Sequence, residues 1–436
     1  MKRYKGVRRA VARGARALAL GAAIVAGSGQ ALAQEFKLGL VTFLSGGAAG
    51  PFGIPARNAG ELVIDALNAG TLPAPYNTKG IAGMTVRPIW VDEAGGPSKQ
   101  VTEYRNLVQK QGADAVIGYI SSGDCLAIAP VTDELKKLTI FFDCGTPRIF
   151  EEKPYKYLFR TGPTALMDSL GAARYIVAAD PNLRKVNGIN QNYAWGQDSW
   201  NDFIASLRKL KPGVEVGISQ MPKLFAGQYS AEISALMLQE AQFVHSSFWG
   251  GDLEGFVQQG KARGLFDKQT PILTTGETMM FRIPEQIPEG TVIGGRGPYG
   301  VFAPDNTLNR WFRTEYFNRF NTWPTYPSYK MAQAILGLKA ATEKAAAAKG
   351  GAKPSDEEII AAFEYLDFEA PSGTVKMAIG KGHQAIQEMI YGRFRLQGGK
   401  PVIVDVKRYP AECVNPPDGV ASEQWIAQGF PGAKCN

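Results

Sequence analysis

Short apolar runs alternate with segments of helical spacing along nearly all of this 436-residue chain, and that alternation limits the fold more than any other feature. Phe36-Lys-Leu-Gly-Leu-Val-Thr42 reads as a strand and is followed by the loop Ser45-Gly-Gly-Ala-Ala-Gly-Pro-Phe-Gly53. Residues 54–69 then carry Ala59, Leu62, Val63, Ala66 and Leu67 at the spacing of one helical face. A strand over 84–91, a helix over 98–110, a strand over 115–118, a helix over 126–137 and a strand over 138–142 continue the series. The pattern then restarts, with a helix over 164–178, a strand over 185–190, a helix over 200–210 and strands over 214–218, 241–248 and 272–275. Strands alternating with helices predict βαβ units and parallel sheets. Two such series predict two Rossmann-like α/β lobes. A helical block over 307–344 leads to a solvated linker ending at Pro354, after which Ser355 and Glu358 fit a capping box. Beyond Tyr391 come short strand-like pieces and a tail rich in proline and glycine.

The N-terminus sets the compartment. Seven basic residues from Lys2 to Arg16 precede an apolar stretch over 17–27 and the sequence Ala31-Leu-Ala33. A basic region, a short apolar core and an A-x-A site predict a secretory signal peptide over 1–33. The apolar core is shorter than the roughly 20 residues needed to cross a bilayer. Cleavage after Ala33 removes seven basic and no acidic residues, which takes the formal charge from +8 to +1. The basic balance of the full chain is therefore no argument for nucleic acid. No later segment is apolar enough to enter a membrane, so a periplasmic chain without membrane insertion is expected. Export permits disulfides. Cys125, Cys144, Cys413 and Cys435 allow three pairings, and proximity favours Cys125–Cys144 and Cys413–Cys435. No C-x-x-C pair supports a redox role.

Ser121 and Ser122 stand between the apolar run Ala115-Val-Ile-Gly118 and a helix. Ligands of open parallel sheets bind beyond the carboxyl ends of the strands, and a helix N-terminus offers unpaired N–H groups. The two hydroxyls therefore read as an anion cradle, against the plainer reading of one serine as an N-cap. The next strand ends similarly in Asp143-Cys-Gly-Thr146. A bridge between Cys125 and Cys144 would clamp these two loops together. Catalytic signatures do not emerge: no G-x-S-x-G elbow, no H-E-x-x-H and no metal-spaced cluster is present. Of the two histidines, His245 lies inside a strand-like run and reads as a packed core residue. Gly295-Arg-Gly-Pro-Tyr-Gly300 fits G-x-G-x-x-G, but the residues up to Pro304 open no helix, so it reads as a hinge crossover. The expectation is a binding protein with no cofactor rather than an enzyme.

The chain resembles the leucine/isoleucine/valine-binding type of periplasmic solute-binding protein, the bilobed type I receptors of ABC importers. The resemblance runs from Lys37 to about Arg408. It rests on Ser45-Gly with Gly50-Pro-Phe-Gly53, Val116-Ile-Gly with Ser121-Ser122, Cys144-Gly-Thr146, Tyr157-Leu-Phe-Arg-Thr161, Asn192-Tyr-Ala-Trp-Gly196, Phe248-Trp-Gly-Gly251 and Thr275-Gly-Glu277. It implies two lobes joined by three crossovers and closing by a hinge on a small molecule, with a membrane permease as partner. The implied boundaries are 34–161 plus 298–370 for one lobe and 162–297 plus 371–409 for the other, with a tail over 410–436. By the same resemblance, Ser122 and Thr146, with Ser121 and the Cys144 backbone beside them, bind a ligand carboxylate. Phe52 walls the side-chain pocket, Tyr193 faces it from the second lobe, and Glu277 pairs with a ligand ammonium. Trp195 and Trp249 enlarge an aromatic pocket, and Asp252 departs from the neutral residue usual after the Trp-Gly-Gly. Neutral donors facing an acid favour an amino acid; relatives that take aromatic acids, amides or urea, and ligand-sensing receptors of the same fold, supply the alternatives.

Overall fold

Residues 34–435 are described by the computed structural model; the expected signal peptide lies outside them. Each apolar run named above becomes a strand, and the chain builds two sheets. The first takes β1 (Glu35–Thr42), β2 (Thr85–Asp92), β3 (Ala115–Gly118), β4 (Thr139–Phe141) and β5 (Leu158–Arg160). The second takes β6 (Lys185–Ile189), β7 (Glu215–Gln220), β8 (Phe243–Ser246), β9 (Thr270–Leu273) and β10 (Val292–Gly294). All neighbours among these ten strands pair in parallel. The chain then returns to the first sheet with β11 (Asp367–Ala370), β12 (Gly373–Ile379) and β13 (Gln384–Ile386), and ends in the second with β14 (Met389–Gln397) and β15 (Lys400–Tyr409). The spatial orders are β11-β12-β13-β5-β4-β3-β1-β2 and β15-β14-β10-β9-β8-β6-β7. The two lobes are thus α/β, each with a parallel centre and an antiparallel flank.

β3 shows why the parallel centre was legible. Its four residues are all buried, as expected of a strand covered by helices on both faces. The third crossover falls later than the sequence suggested. Residues 371–386 stay in the first sheet, because β12 pairs with β11 and β13, and β13 with β5. The chain therefore changes lobe at 161–164, 295–299 and 387–388. The block over 307–344 is two helices, Thr307–Phe320 and Tyr326–Ala348. Asn321 ends the first in a left-handed conformation (φ 53°), and Pro324 holds the residue before it out of the helical region.

One side chain gathers the three crossovers. Gln333, fully buried on the helix Tyr326–Ala348, donates through Nε2 to the Thr161 carbonyl (2.6 Å), the Gln387 Oε1 (3.0 Å) and the Tyr299 hydroxyl (3.4 Å). Its Oε1 accepts from Ser372 Oγ at 2.5 Å. The tail is anchored elsewhere. Trp425, Ile426 and Phe430 join the core of the second lobe, while Ser422 donates to Glu151 and Asp418 accepts from Tyr365 and Lys381 of the first. Both expected disulfides, Cys125–Cys144 and Cys413–Cys435, are present. Among the described residues no helix is long and apolar enough to cross a membrane.

Candidate functional site

The carboxyl ends of the parallel strands of both lobes face each other across a cleft, the position expected of a ligand site in such sheets. Its walls follow directly from strand order: Phe52 after β1, Ile120 after β3, Asp143 and Gly145 after β4, Tyr193 and Trp195 after β6, Trp249 after β8, Thr275 after β9 and Arg296 after β10. Tyr326 closes the ring from the start of its helix. The facing side chains meet so closely that a cavity of about 10 Å³ remains between them, about the room one water needs. A ligand can enter only if the lobes part. Larger hollows, about 190 and 540 Å³, lie between the tail and the first lobe; neither is at the facing strand ends.

Aromatic rings make most of the wall. Phe52 meets Trp249 (5.4 Å between centroids) and Tyr326 (5.3 Å) edge to face. The Trp249 indole N–H donates to the Tyr193 hydroxyl at 2.7 Å, and the Trp195 indole N–H to the Ser247 carbonyl at 2.8 Å. At the cleft mouth Phe225, on the second lobe, packs against Phe43 of the first (6.2 Å) and against Trp249 (5.3 Å). The rings thus have fixed orientations and an apolar face toward the cleft.

A charged group is set into this wall. The Arg296 guanidinium lies 4.3 Å from the Trp195 ring. Its Nε donates to Asp168 Oδ2 (2.9 Å), its Nη1 to the carbonyl and Oδ1 of Asp143 (2.8 and 2.5 Å), and its Nη2 to the Pro163 carbonyl (3.2 Å). Lys330 Nζ donates to the same Asp143 Oδ1 at 2.6 Å. None of the four side chains is more than 5% exposed. Burial pulls the Arg296 pKa down, but Asp168 and Asp143 outweigh it and hold the guanidinium charged. Burial and then Arg296 lower Lys330 to about 7, against the opposite pull of Asp143 and Asp168. Gly145 is required here: a Cβ on it would lie 2.3 Å from the Trp195 ring and 2.6 Å from Arg296 Nη2.

Of the residues expected from sequence, Phe52, Tyr193, Trp195 and Trp249 do line the cleft. The others are placed differently. The cradle at the end of β3 exists, but the chain fills it itself: Glu93, fully buried beyond β2, accepts the N–H groups of Ile120 and Ser121, both at 2.8 Å. Burial and then the neighbouring Asp124 raise its carboxyl well above the usual range. Ser122 Oγ accepts the N–H groups of Gly145 and Thr146, both at 3.2 Å, and so ties the β3 loop to the β4 loop. Cys144 is held in its disulfide, and its carbonyl accepts from Arg160. Thr146 donates to Asp198 of the second lobe at 2.6 Å. Asp252 is occupied by Gln191 and the Phe225 N–H, both at 2.7 Å. Glu277 sits behind Tyr326, whose N–H it accepts at 2.8 Å, and a Cβ on Gly300 would lie 1.7 Å from its Oε1. Its carboxyl is walled off from the cleft.

Sequence reading missed Ile120, Asp143, Gly145, Thr275, Arg296 and Tyr326. Asp143 and Arg296 carried a signal: each is a lone charged residue directly after an apolar strand, and buried charges are retained only with partners. His245 is fully buried, as read, and stacks on Phe203 at 4.2 Å.

A model of the periplasmic binding protein family matches residues 35–400. The chain belongs to this family. The curated relatives of this binding protein include the Leu/Ile/Val-binding protein homolog 4 of Brucella melitensis, 23% identical over 389 residues, 86% of this chain and 87% of the relative. Similar solved structures include a solute binding protein of an ABC transporter from Rhodopseudomonas palustris in complex with 3,4-dihydroxybenzoic acid. It is 20% identical, with a TM-score of 0.75, over 86% of this chain and 98% of that one. A leucine binding protein from Thermotoga maritima is 18% identical, with a TM-score of 0.69, over 85% and 98%. The shared fold of this binding protein with both is the bilobed α/β architecture described above.

Proposed function

We propose that this chain is the exported solute-binding component of an ABC importer, and that it captures a small carboxylate with an apolar body between its lobes. The observation that carries this reading is the cleft wall itself, in which five aromatic side chains surround a buried guanidinium at the facing strand ends. Aromatic faces suit a flat or branched apolar body. Arg296 is already paired with Asp143 and Asp168, but one N–H on its Nη2 is left unused and can donate a charge-assisted hydrogen bond to a carboxylate. The likeness to Leu/Ile/Val-binding relatives and to solute-binding proteins holding aromatic acids supports a ligand in this size range. The partner is then a membrane permease, and the ligand leaves the site chemically unchanged.

Thermal unfolding in the presence of amino acids, amides, aromatic acids and aliphatic acids tests the reading. A ligand at 100 times its Kd adds roughly 2.7 kcal/mol of stability. At least one carboxylate should do so, should be recovered intact after incubation, and should lose its effect in Arg296→Met. A panel in which no carboxylate stabilises the protein, or in which the ligand is converted, overturns it.

A further inference from the structure

We infer that the smaller hollow between the tail and the first lobe is a second binding site, outside the cleft, for a small monocarboxylate held by Arg160. The inference goes beyond the function proposed above and does not depend on what the cleft captures.

Two buried arginines are partnered in opposite ways. Arg296 meets two aspartates. Arg160 is 1% exposed and forms no ion pair among the described residues. Its Nε donates to Gln384 Oε1, and its Nη1 to the carbonyls of Cys144 (3.2 Å) and Thr146 (2.6 Å). A guanidinium has five N–H groups, and the two on Nη2 donate to nothing among the described residues. Burial, and then Arg296, pull its pKa down to about 9, against the opposite pull of Glu151. A charge buried this deeply calls for a partner.

The hollow has room for one. Arg160 lines a cavity of about 190 Å³, many times the roughly 10–15 Å³ that one water needs. Thr164 lines it too and is 6% exposed; its hydroxyl oxygen accepts the Met167 N–H at 3.5 Å, which leaves its O–H to donate. Much of the remaining wall is apolar, with Phe150 and Ile379 from the first lobe and Pro416, Pro417 and Val420 from the tail. Glu151 shares the cavity, but Ser422 occupies both of its oxygens, through the N–H at 3.0 Å and the hydroxyl at 2.5 Å. A guanidinium edge and a hydroxyl in an apolar chamber suit a carboxylate on a short apolar body. The charge of Glu151 disfavours a dianion such as phosphate.

The tail reaches this cavity from the second lobe, where Trp425 and Ile426 are core residues. An occupant therefore joins the two lobes outside the cleft. It also bears on the cleft through Arg160, whose Nη1 holds the carbonyls on either side of the cleft residue Gly145.

Thermal unfolding and calorimetry of the mature chain with acetate, propionate and benzoate test the site, against propionamide, phosphate and sulfate at equal ionic strength. At least one monocarboxylate should raise the unfolding midpoint by roughly 3 °C at 100 times its Kd and slow amide exchange at 416–424, while the amide and the dianions do neither. The effect should persist in Arg296→Met, which alters the cleft alone. It should vanish in Arg160→Gln and in Ala421→Leu, whose larger side chain fills the cavity and leaves every bond of Arg160 in place. Where Arg160→Gln does not fold, Ala421→Leu decides. The inference is overturned if no monocarboxylate stabilises the protein, if the effect survives Ala421→Leu or is lost in Arg296→Met, or if propionamide or phosphate matches it.

Discussion

Burial with only backbone partners holds the Glu277 carboxyl up at about 7, well above an ordinary glutamate. The native state then keeps a proton that the unfolded chain releases above about 4.5. Stability contributed by the protonated group is present below that pH and is lost as pH rises through 7. In Glu277→Gln this fall, of order 2 kcal/mol, should disappear from denaturation curves compared at pH 5 and pH 8. Ligand affinity should be unchanged, because the side chain does not reach the cleft. Gly145→Ala should do the reverse. A methyl group 2.3 Å from the Trp195 ring displaces the indole or Arg296, so affinity should drop at least tenfold with a modest loss of stability, read by calorimetry and denaturation side by side. At this scale the sequence was half legible. The aromatic residues after glycine-rich strand ends were found because large rings at such positions have few other places to go. The polar residues were misassigned because the same hydroxyl or carboxylate can serve a ligand or the backbone. Only packing decided that Glu93, not a ligand, takes the amides of Ile120 and Ser121.

Elements were read more securely than residues. A parallel strand buried on both faces is a continuous apolar run wherever it occurs, so β3 and its neighbours were plain. The helix expected from Leu126 starts four residues earlier, at Ser122, because its first turn is small and polar and carries no periodic apolar signal. The third crossover was misplaced for a related reason: the alternating pattern of β12 fits the edge of either sheet, and only pairing with β11 and β13 assigns it to the first. The helix Tyr326–Ala348 has a part in the hinge that no sequence pattern announces. Gln333→Leu would leave the Thr161 carbonyl without its donor and the Ser372 hydroxyl without its acceptor, while Gln387 keeps only Tyr299 and Ser372. Buried polar groups orphaned in this way cost roughly 1–3 kcal/mol. Denaturation should show that loss, and hydrogen exchange should quicken at 161–164 and 387–388 while β8 and β9 stay protected. Unchanged exchange at the crossovers would mean that Gln333 does not hold them.

For the whole molecule, closure is fastened by contacts outside the cleft. Asp198 of the second lobe accepts Thr146 Oγ1 (2.6 Å) and Arg148 Nη2 (2.6 Å) from the first, and the Gly251 N–H donates to the Gly47 carbonyl at 2.9 Å. Asp198→Asn removes the charge from this contact, which with Arg148 partly exposed amounts to about 1 kcal/mol. X-ray scattering without ligand should then show a larger radius of gyration, and affinity for any ligand should fall about fivefold, because closure draws on the binding energy. An unaltered radius with an unaltered affinity would count against a role for Asp198 in closure. The three crossovers, drawn together at Gln333, add something about what such closure can convey. Strands pinned at one point leave the lobes little freedom to slide or shear, so opening reduces to one angle. A membrane partner that touches both rims need not sense the captured molecule at all: the spacing of the rims is a single number that reports whether the cleft is filled.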